Sequence, residues 1–246
     1  MHLYDSLIIG SGYTWVGFAL KRKNCIICEE SQCCDPNFYL PLRSFNAEKY
    51  VPVTEQGKKL ASVFNKYELF NDEDMCANAL EPAFCEFLSQ EDINVLLKCR
   101  VIDYEKTDDG NYKINVITAE GISTLYAKNV FDSVPDNTSN RITVVFSTEN
   151  SEKAISELSA TFKNAVFSKA FYKNRYAMFL PVHNSDVNEM ICYIHDNWKT
   201  QEAKVLYIPA VFSPYSFKEK NFPADCNYTS PLKAFEAGVK FSGGEK

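Results

Sequence analysis

The first thirty residues of the chain constrain its fold more than any other segment. An apolar run over residues 7–9 leads into Gly10-Ser11-Gly12, a helical stretch follows over residues 13–23, and a second apolar run over residues 25–28 ends on an acid. A strand, a glycine turn, a helix and a second strand in this order are typical of a dinucleotide-binding βαβ unit. The sequence therefore predicts a Rossmann-like parallel sheet built on this unit.

The glycine turn is the candidate site for the phosphates of a nucleotide. Gly10 permits a tight turn after the strand, and Gly12 lets the backbone approach a pyrophosphate closely. The helix that begins at Tyr13 and Thr14 is expected to direct its first N–H groups toward the phosphates. These four residues are therefore predicted to bind the cofactor.

Two acids, Glu29 and Glu30, end the second strand. Either one is expected to accept hydrogen bonds from the adenosine ribose hydroxyls, and its charge disfavours NADP because a 2′-phosphate would meet a carboxylate. Trp15 stands where a third glycine is usual, and Gly17 comes two positions later. A purely structural strand-to-helix turn has the same Gly-x-Gly letters and is the alternative.

The composition indicates a folded protein and excludes several classes of partner. Hydrophobic residues make up 46% of the chain and aromatic residues 14%, which is enough for a sizeable core. The net charge of -6 supplies no broad basic surface, so no nucleic-acid partner is expected. The sequence has no apolar run of transmembrane length and no signal-peptide layout, so we expect no membrane span and a cytoplasmic location.

The chain has nine cysteines, and without an export signal they are expected to be reduced thiols. Cys25 and Cys28 have C-x-x-C spacing, and Cys33-Cys34 follow closely. Because residues three apart in a strand face opposite sides of the sheet, Cys25 and Cys28 do not converge on one ligand. Core packing is the favoured role, metal binding and redox chemistry are the alternatives, and no metal site is predicted.

The rest of the chain divides into two patterns. The first predicts helices over residues 57–69 and 78–90, a strand over residues 94–98, an antiparallel ladder over residues 100–127 with a hairpin at Asp109-Gly110, and a strand over residues 129–132. The second predicts strands over residues 142–147, 177–181, 190–195 and 204–212, a helix over residues 151–162, and a terminal helix over residues 230–240.

These elements predict an α/β fold with a Rossmann-like parallel sheet, an antiparallel β-meander insert and a second small antiparallel α+β lobe. The expected domains are a nucleotide-binding domain over residues 1–140, a substrate or partner lobe over residues 141–224, and a helix within residues 225–246 that returns to the first domain.

Two side chains outside the glycine turn are further candidates. Arg43 lies in a loop rich in aromatic residues and prolines, where it could pair with a phosphate or be an ordinary surface arginine. His183 lies at the end of a predicted strand, where it is the candidate catalytic base, with a surface-loop histidine as the alternative.

Four strings carry a family resemblance: Asp5 to Gly12, the helix from Glu81 that leads to Arg100-Val101-Ile102-Asp103, Tyr126 to Ser133, and Ser230 to Val239. Together they resemble FAD-dependent oxidoreductases of the glutathione-reductase-like Rossmann superfamily. The resemblance covers most of the chain, although the lobe over residues 142–212 matches only in outline.

The resemblance implies further FAD-binding positions. In that family the residue that matches Val101 contacts adenine through its backbone. Pro231 and Leu232 begin the helix whose N-terminus points at the flavin, and Asp225 is the nearest candidate for the acid before that helix. Ser133-Val134-Pro135-Asp136 stands where the family has Ala-Thr-Gly-Asp, so the resemblance also makes Ser133 a candidate cofactor contact. This chain lacks the glycine that lets the backbone approach the cofactor there.

The expected function is an FAD-binding oxidoreductase that acts on a small molecule, alone or as a subunit of a homo- or hetero-oligomer. One alternative is a degenerate, non-catalytic flavin-binding or structural subunit, because of the departures at Trp15 and Ser133. The other alternative is a protein that binds NAD or another adenine nucleotide through the same βαβ unit.

Overall fold

The computed structural model describes residues 2–34, 38, 50–69, 77–135, 141–169, 174–182, 187–208, 211–212, 215–217 and 230–241. Within them lie six helices: α1 (Tyr13–Ala19), α2 (Glu55–Lys66), α3 (Ala77–Gln90), α4 (Ser151–Thr161), α5 (Val187–Asn197) and α6 (Pro231–Lys240). None of these helices has the length and apolar character that crossing a membrane requires.

The first sheet combines parallel and antiparallel strands. Its strands are β1 (Leu3–Ile9), β2 (Cys25–Glu29), β3 (Asn94–Leu97), β4 (Arg100–Lys106), β5 (Tyr112–Thr118) and β6 (Gly121–Pro135). Their order is β3-β2-β1-β6-β5-β4, in which the first four are parallel and β6, β5 and β4 form an antiparallel meander. The predicted parallel sheet with a meander insert is confirmed, with the two final predicted strands merged into the 15-residue β6.

The two faces of this sheet bury different cores because side chains alternate along each strand. Ile8 and Ile27 pack on one face against α1, α2, α3 and α6. Leu7 and Cys28 pack on the other face against the meander. Cys25 belongs to the helix side, so Cys25 and Cys28 face opposite sides of the sheet, as predicted.

Helix α1 is shorter than predicted. It ends at Ala19 rather than near residue 23, and a turn over residues 20–24 leads to Asn24 at φ 49°. The turn is needed because β2 pairs with β1 from Cys25 opposite Ser6, and Asp5 N donates to Asn24 O at 2.9 Å. The chain therefore has to reverse before the helix can take another turn.

Helices α1 and α6 cross with their backbones in contact. A Cβ on Gly17 would lie 2.2 Å from Phe235 O, and a Cβ on Gly238 would lie 1.9 Å from Thr14 O. No side chain fits at such distances, so both positions require glycine. Gly17 lies two residues after the usual third-glycine position because it is the residue that α6 contacts.

We call the first sheet with α1, α2, α3 and α6 the first lobe, and the second sheet with α4 and α5 the second lobe. The strands of the second lobe are β7 (Arg141–Ser147), β8 (Val166–Lys169), β9 (Arg175–Pro181), β10 (Lys204–Tyr207) and β11 (Val211–Phe212). Every pairing among them is antiparallel. The predicted antiparallel lobe is confirmed, while the domain boundaries stay a prediction.

Two predictions for the second lobe were wrong in detail. Residues 190–195 form part of helix α5 rather than a strand, because Met190, Ile194 and Trp198 recur every four residues and all contact the core of this lobe. Residues 204–212 form two strands instead of one. His195 consequently lies exposed on a helix rather than at a strand end.

A short strand connects the lobes. Strand β12 (Tyr215–Phe217) pairs antiparallel with the last residues of β6, with Phe217 opposite Ser133 and Tyr215 opposite Pro135. After β6 the chain forms the strands and helices of the second lobe. It then returns through β12 to the end of β6, and α6 packs on the helix side of the first lobe.

Candidate functional site

The carboxyl end of β1 lies where the strand order of the first sheet changes direction. From β1 the chain builds β2 and β3 on one side and then returns to place β6 on the other side. Ligands of open α/β sheets bind at the carboxyl ends of strands at such a switch point. The glycine turn that follows β1 therefore lies at the place where the fold class binds its ligand.

The glycine turn has the backbone conformation that its sequence predicts. Gly10 has φ 103°, in the region that side chains disfavour, and its N–H donates to Cys28 O at 2.8 Å. Gly12 is the N-cap of α1 in an extended conformation, with φ -62° and ψ 163°. The turn thus joins the ends of β1 and β2 directly to the first turn of α1.

Glu29 is the side chain that fixes the turn. It is only 4% exposed, and its Oε2 accepts hydrogen bonds from Ser11 N and Ser11 Oγ, both at 2.8 Å. Its Oε1 accepts from Ser31 N at 2.8 Å. A buried carboxylate needs such donors, because removal from water is costly without them. Glu29 therefore connects the glycine turn to the loop after β2.

The structure shows which of the two adjacent acids faces the glycine turn, a question that the sequence did not answer. Glu29 faces the turn, whereas Glu30 is exposed, with Arg100 Nε at 3.8 Å from its Oε1. An exposed pair at this distance contributes little to stability. Of the two, only Glu29 contacts the glycine turn.

The first residues of α1 are buried rather than open to solvent. The Tyr13 ring packs against Phe84, Phe38 and Phe64, with centroid distances of 4.1, 5.5 and 6.1 Å. Thr14 is buried where α6 crosses α1. The Tyr13 side chain is therefore part of the helix-side core, and a role for these two residues in binding a ligand would rest on their backbone.

Val101 lies close to Glu29 in the fold. The backbone N–H of Cys99 donates to Glu29 O at 2.9 Å, and that of Lys98 donates to Ser31 O at 2.9 Å. Two residues later, Val101 is half-buried on β4 opposite Val116. The start of the meander is thus held against the carboxyl end of β2.

Ser133 lies beside the glycine turn, at the end of β6. Asp132 is opposite Ile9, so Ser133 is the first residue of β6 beyond the end of β1. Ser133 through Pro135 then pair with β12 as an extended strand. The first three residues of the string that stands in place of Ala-Thr-Gly-Asp are therefore part of a paired strand.

Sequence reasoning missed Asp132 and Tyr104 at this edge. The Tyr104 hydroxyl donates to Asp132 Oδ2 at 3.0 Å, and burial together with this carboxylate raises the pKa of Tyr104. Asp132 could have been found from the sequence, because it ends an apolar strand at the same edge of the sheet as the glycine turn.

Pro231 and Leu232 are buried in the first turn of α6, and Leu232 belongs to the helix-side core. Further along this helix lies Glu236, whose side chain is 1% exposed and whose role was not predicted from the sequence. Glu236 Oε1 accepts from Val53 N at 2.8 Å and from Thr54 Oγ1 at 2.7 Å. It thereby anchors the start of α2 to α6.

The surroundings of Glu236 determine its protonation state. Burial raises its pKa, but the hydrogen bonds that it accepts from Tyr50 and Thr54 outweigh burial, so the pKa is lowered overall. Burial and the same contact with Glu236 raise the pKa of Tyr50 to about 12. Glu236 is therefore ionised and Tyr50 protonated at neutral pH.

Arg43, His183 and Asp225 lie outside the described residues, so their roles stay predictions.

A cavity of about 490 Å³ lies near the start of β2, with His2, Arg22 and Asn94 among its lining residues. That is the amino edge of the parallel strands, opposite the glycine turn. We place the candidate site at the turn, because dinucleotides bind at the carboxyl edge.

No protein-family model matches the chain, and no curated protein matches it in sequence. Solved structures do match its fold. The p-nitrophenol 4-monooxygenase PnpA from Pseudomonas putida aligns over 90% of this chain and 71% of its own, with 13% identity and a TM-score of 0.53. The OxyS anhydrotetracycline hydroxylase from Streptomyces rimosus aligns over 98% of this chain and 63% of its own, with 8% identity and a TM-score of 0.53.

A flavoprotein/dehydrogenase from Cytophaga hutchinsonii aligns over 97% of this chain and 76% of its own, with 11% identity and a TM-score of 0.50. This chain therefore spans about 63 to 76% of the lengths of these three proteins. At such low identity the likeness concerns the fold, and the fold of this chain is similar to that of a monooxygenase, a hydroxylase and a flavoprotein.

Proposed function

We propose that the chain binds FAD and acts as an oxidoreductase on a small molecule. The observation that carries this proposal is the buried Glu29 carboxylate, which accepts two hydrogen bonds from Ser11 at the switch point of the sheet. An acid at the end of β2 beside a glycine turn is the feature with which such folds hold an adenosine ribose. The fold likeness to oxidising enzymes supports the same proposal.

The residues of the turn suit the adenosine half of FAD. A carboxylate has about four acceptor positions, and Glu29 uses three of them for Ser11 and Ser31, so one remains for a ribose hydroxyl. Gly10 and Gly12 would face the pyrophosphate, together with the backbone of Tyr13 and Thr14. Val101 would contact adenine beside Glu29.

The flavin half would lie toward the start of α6, where Pro231 and Leu232 are the proposed contacts. FAD, when bound, supplies the group that accepts or donates electrons, and the protein positions it. Arg43 as a phosphate partner, Asp225 near the flavin and His183 as an acid–base group complete the proposal. The narrower assignment to the glutathione-reductase-like superfamily stays a prediction.

A second candidate function is a non-catalytic flavin-binding or structural subunit. It is favoured by the ladder between β6 and β12, in which the backbone of Ser133 and Pro135 pairs with Phe217 and Tyr215. Backbone groups engaged in a ladder are less free to approach a cofactor. NAD is a further alternative ligand, because it shares the adenosine half that Glu29 would recognise.

The test is the near-ultraviolet and visible absorbance of the purified full chain, with mass identification of whatever denaturation releases. We expect flavin bands and stoichiometric FAD, either as purified or after addition of FAD. Gly12→Glu should abolish FAD retention, because it places charge and bulk against the pyrophosphate. Ser123→Glu adds the same side chain at an exposed position of the meander and should leave FAD binding unchanged.

A colourless protein that takes up no added FAD would contradict the proposal, and NAD titration would then test the remaining nucleotide. Unchanged flavin content in a folded Gly12→Glu variant would contradict the assignment of the site to the turn. Stoichiometric FAD without any oxidase, dehydrogenase or hydroxylase activity would favour the non-catalytic subunit.

A further inference from the structure

A second group of side chains with ligand chemistry lies apart from the glycine turn. Cys34 follows β2, while Glu81 and Cys85 lie four residues apart and so share one face of α3. One ligand atom from each of the three, two Sγ atoms and a carboxylate oxygen, lies within 4.8 Å of the other two. Two different segments of the chain therefore bring three metal-binding side chains together.

The three side chains differ in their exposure to solvent. Cys34 is 3% exposed within the helix-side core, Glu81 is half-buried, and Cys85 is exposed. The backbone N–H of Cys34 donates to Glu81 Oε1 at 3.0 Å, which orients the carboxylate toward the two thiols. The Sγ atoms of Cys34 and Cys85 lie within 4.8 Å of each other. Solvent thus reaches the group from the Cys85 side.

We propose that Cys34, Glu81 and Cys85 bind one divalent transition-metal ion of the zinc type, with a fourth position open to solvent. Zinc binds thiolates at about 2.3 Å and carboxylates at about 2.0–2.2 Å, so tetrahedral bonds place ligand atoms about 3.7 Å apart. Small side-chain rotations therefore suffice to reach metal-binding distances. Two thiolates also select zinc or cobalt over magnesium or calcium.

A second pair of neighbouring thiols shows what distinguishes this group. Cys28 and Cys99 are both buried in the apolar cluster on the meander side of the sheet. Among the described residues, no histidine, cysteine or carboxylate completes a group of three ligands around this pair. A metal ion there would lack a third ligand among the described residues, whereas Glu81 supplies one beside Cys34 and Cys85.

The experiment is a titration of the full-length, chelator-stripped and reduced protein with Co²⁺ in the absence of oxygen. We expect a thiolate-to-cobalt charge-transfer band that saturates at one equivalent and disappears when Zn²⁺ is added. Cys85→Ser should abolish the band, and because Cys85 is exposed this variant should fold. Glu81→Gln should weaken Co²⁺ binding about tenfold, equivalent to about 1.4 kcal/mol.

Cys192→Ser is the matched control, because it removes another exposed thiol, on α5 of the second lobe. It should bind Co²⁺ as the wild-type chain does. A folded, reduced wild-type protein without a charge-transfer band would overturn the proposal, and so would a band that survives in both Cys85→Ser and Cys34→Ser. The titration requires no bound FAD, so its outcome is independent of the proposed function.

Discussion

The first and second lobes bury very different kinds of side chain. The first lobe buries two carboxylates, Glu29 and Glu236, and packs α1 against α6 through Gly17 and Gly238. Among the described residues of the second lobe, the buried polar side chains are two threonines, and its core is otherwise aliphatic and aromatic.

The buried carboxylates show which backbone segments of the first lobe are held in place by hydrogen bonds. A buried carboxylate is costly unless donors surround it, and Glu29 and Glu236 are both supplied with them. Each carboxylate joins segments distant in sequence: the turn to the end of β2, and α6 to the start of α2. The first lobe is therefore preorganised at one edge, whereas the second lobe depends on apolar packing.

The largest expected loss of stability comes from a substitution that tests the apolar packing of the second lobe. Phe146 is fully buried, and its ring lies 5.8 Å from that of Tyr176 and 5.7 Å from that of Trp198. Phe146→Ala should lower the free energy of unfolding by about 4 kcal/mol, measured by urea denaturation, because it leaves a cavity. Phe146→Leu is the control and should cost about 1 kcal/mol. Equal losses in the two variants would contradict a packing-dominated lobe.

The next effect tests the helix crossing of the first lobe. Gly238→Ala places a methyl group 1.9 Å from Thr14 O, so α1 and α6 must separate, at a cost of about 3 kcal/mol by thermal unfolding. Gly110→Ala is the control: its φ is 84° but nothing lies within 4 Å, so only backbone strain of about 1 kcal/mol applies. A Gly238→Ala variant no less stable than Gly110→Ala would refute the close crossing.

A smaller effect tests the buried carboxylate of α6. Glu236→Gln should cost about 2 kcal/mol at neutral pH, because Val53 N–H and Thr54 N–H lose a charged acceptor. The folded pKa of Glu236 is lowered, so its contribution is complete above the unfolded pKa and is lost as the pH falls through the folded pKa. The difference in stability between wild type and variant should therefore shrink in acid.

Thermal unfolding across the acid range measures this dependence. Glu202→Gln is the control in the second lobe, where the carboxylate forms a surface pair with Lys153 and its loss should change little. A stability difference for Glu236→Gln that stays constant down to acid pH would show that the charge of Glu236 is not the cause.

The sequence predicted the parts of the fold that rest on local signals. Short apolar runs and Gly10 marked β1, its turn and β2, and Asp109-Gly110 marked the hairpin of the meander. The run at residues 190–195 was misread, since a short apolar run has no unambiguous period until Trp198 extends it to a helical one.

The candidate site was predictable only in part, because local sequence signals do not report contacts between distant segments. Glu29 was expected because an acid there ends the second strand, but the sequence could not say which of two adjacent acids faces inward. Glu236 contacts residues 182 to 186 positions away, and no local pattern reports such a contact. The role of Gly17 likewise depends on α6, more than 200 residues along the chain.

The most direct measurement for the central claim is the dissociation constant of FAD for the wild-type, Glu29→Gln and Glu30→Gln proteins, obtained by titration under one set of conditions. The account predicts that the wild-type and Glu30→Gln proteins bind FAD equally, because Glu30 faces solvent. It predicts that Glu29→Gln binds at least about tenfold more weakly, a loss of about 1.4 kcal/mol. Equal affinity of the wild-type and Glu29→Gln proteins would contradict a nucleotide site at the glycine turn.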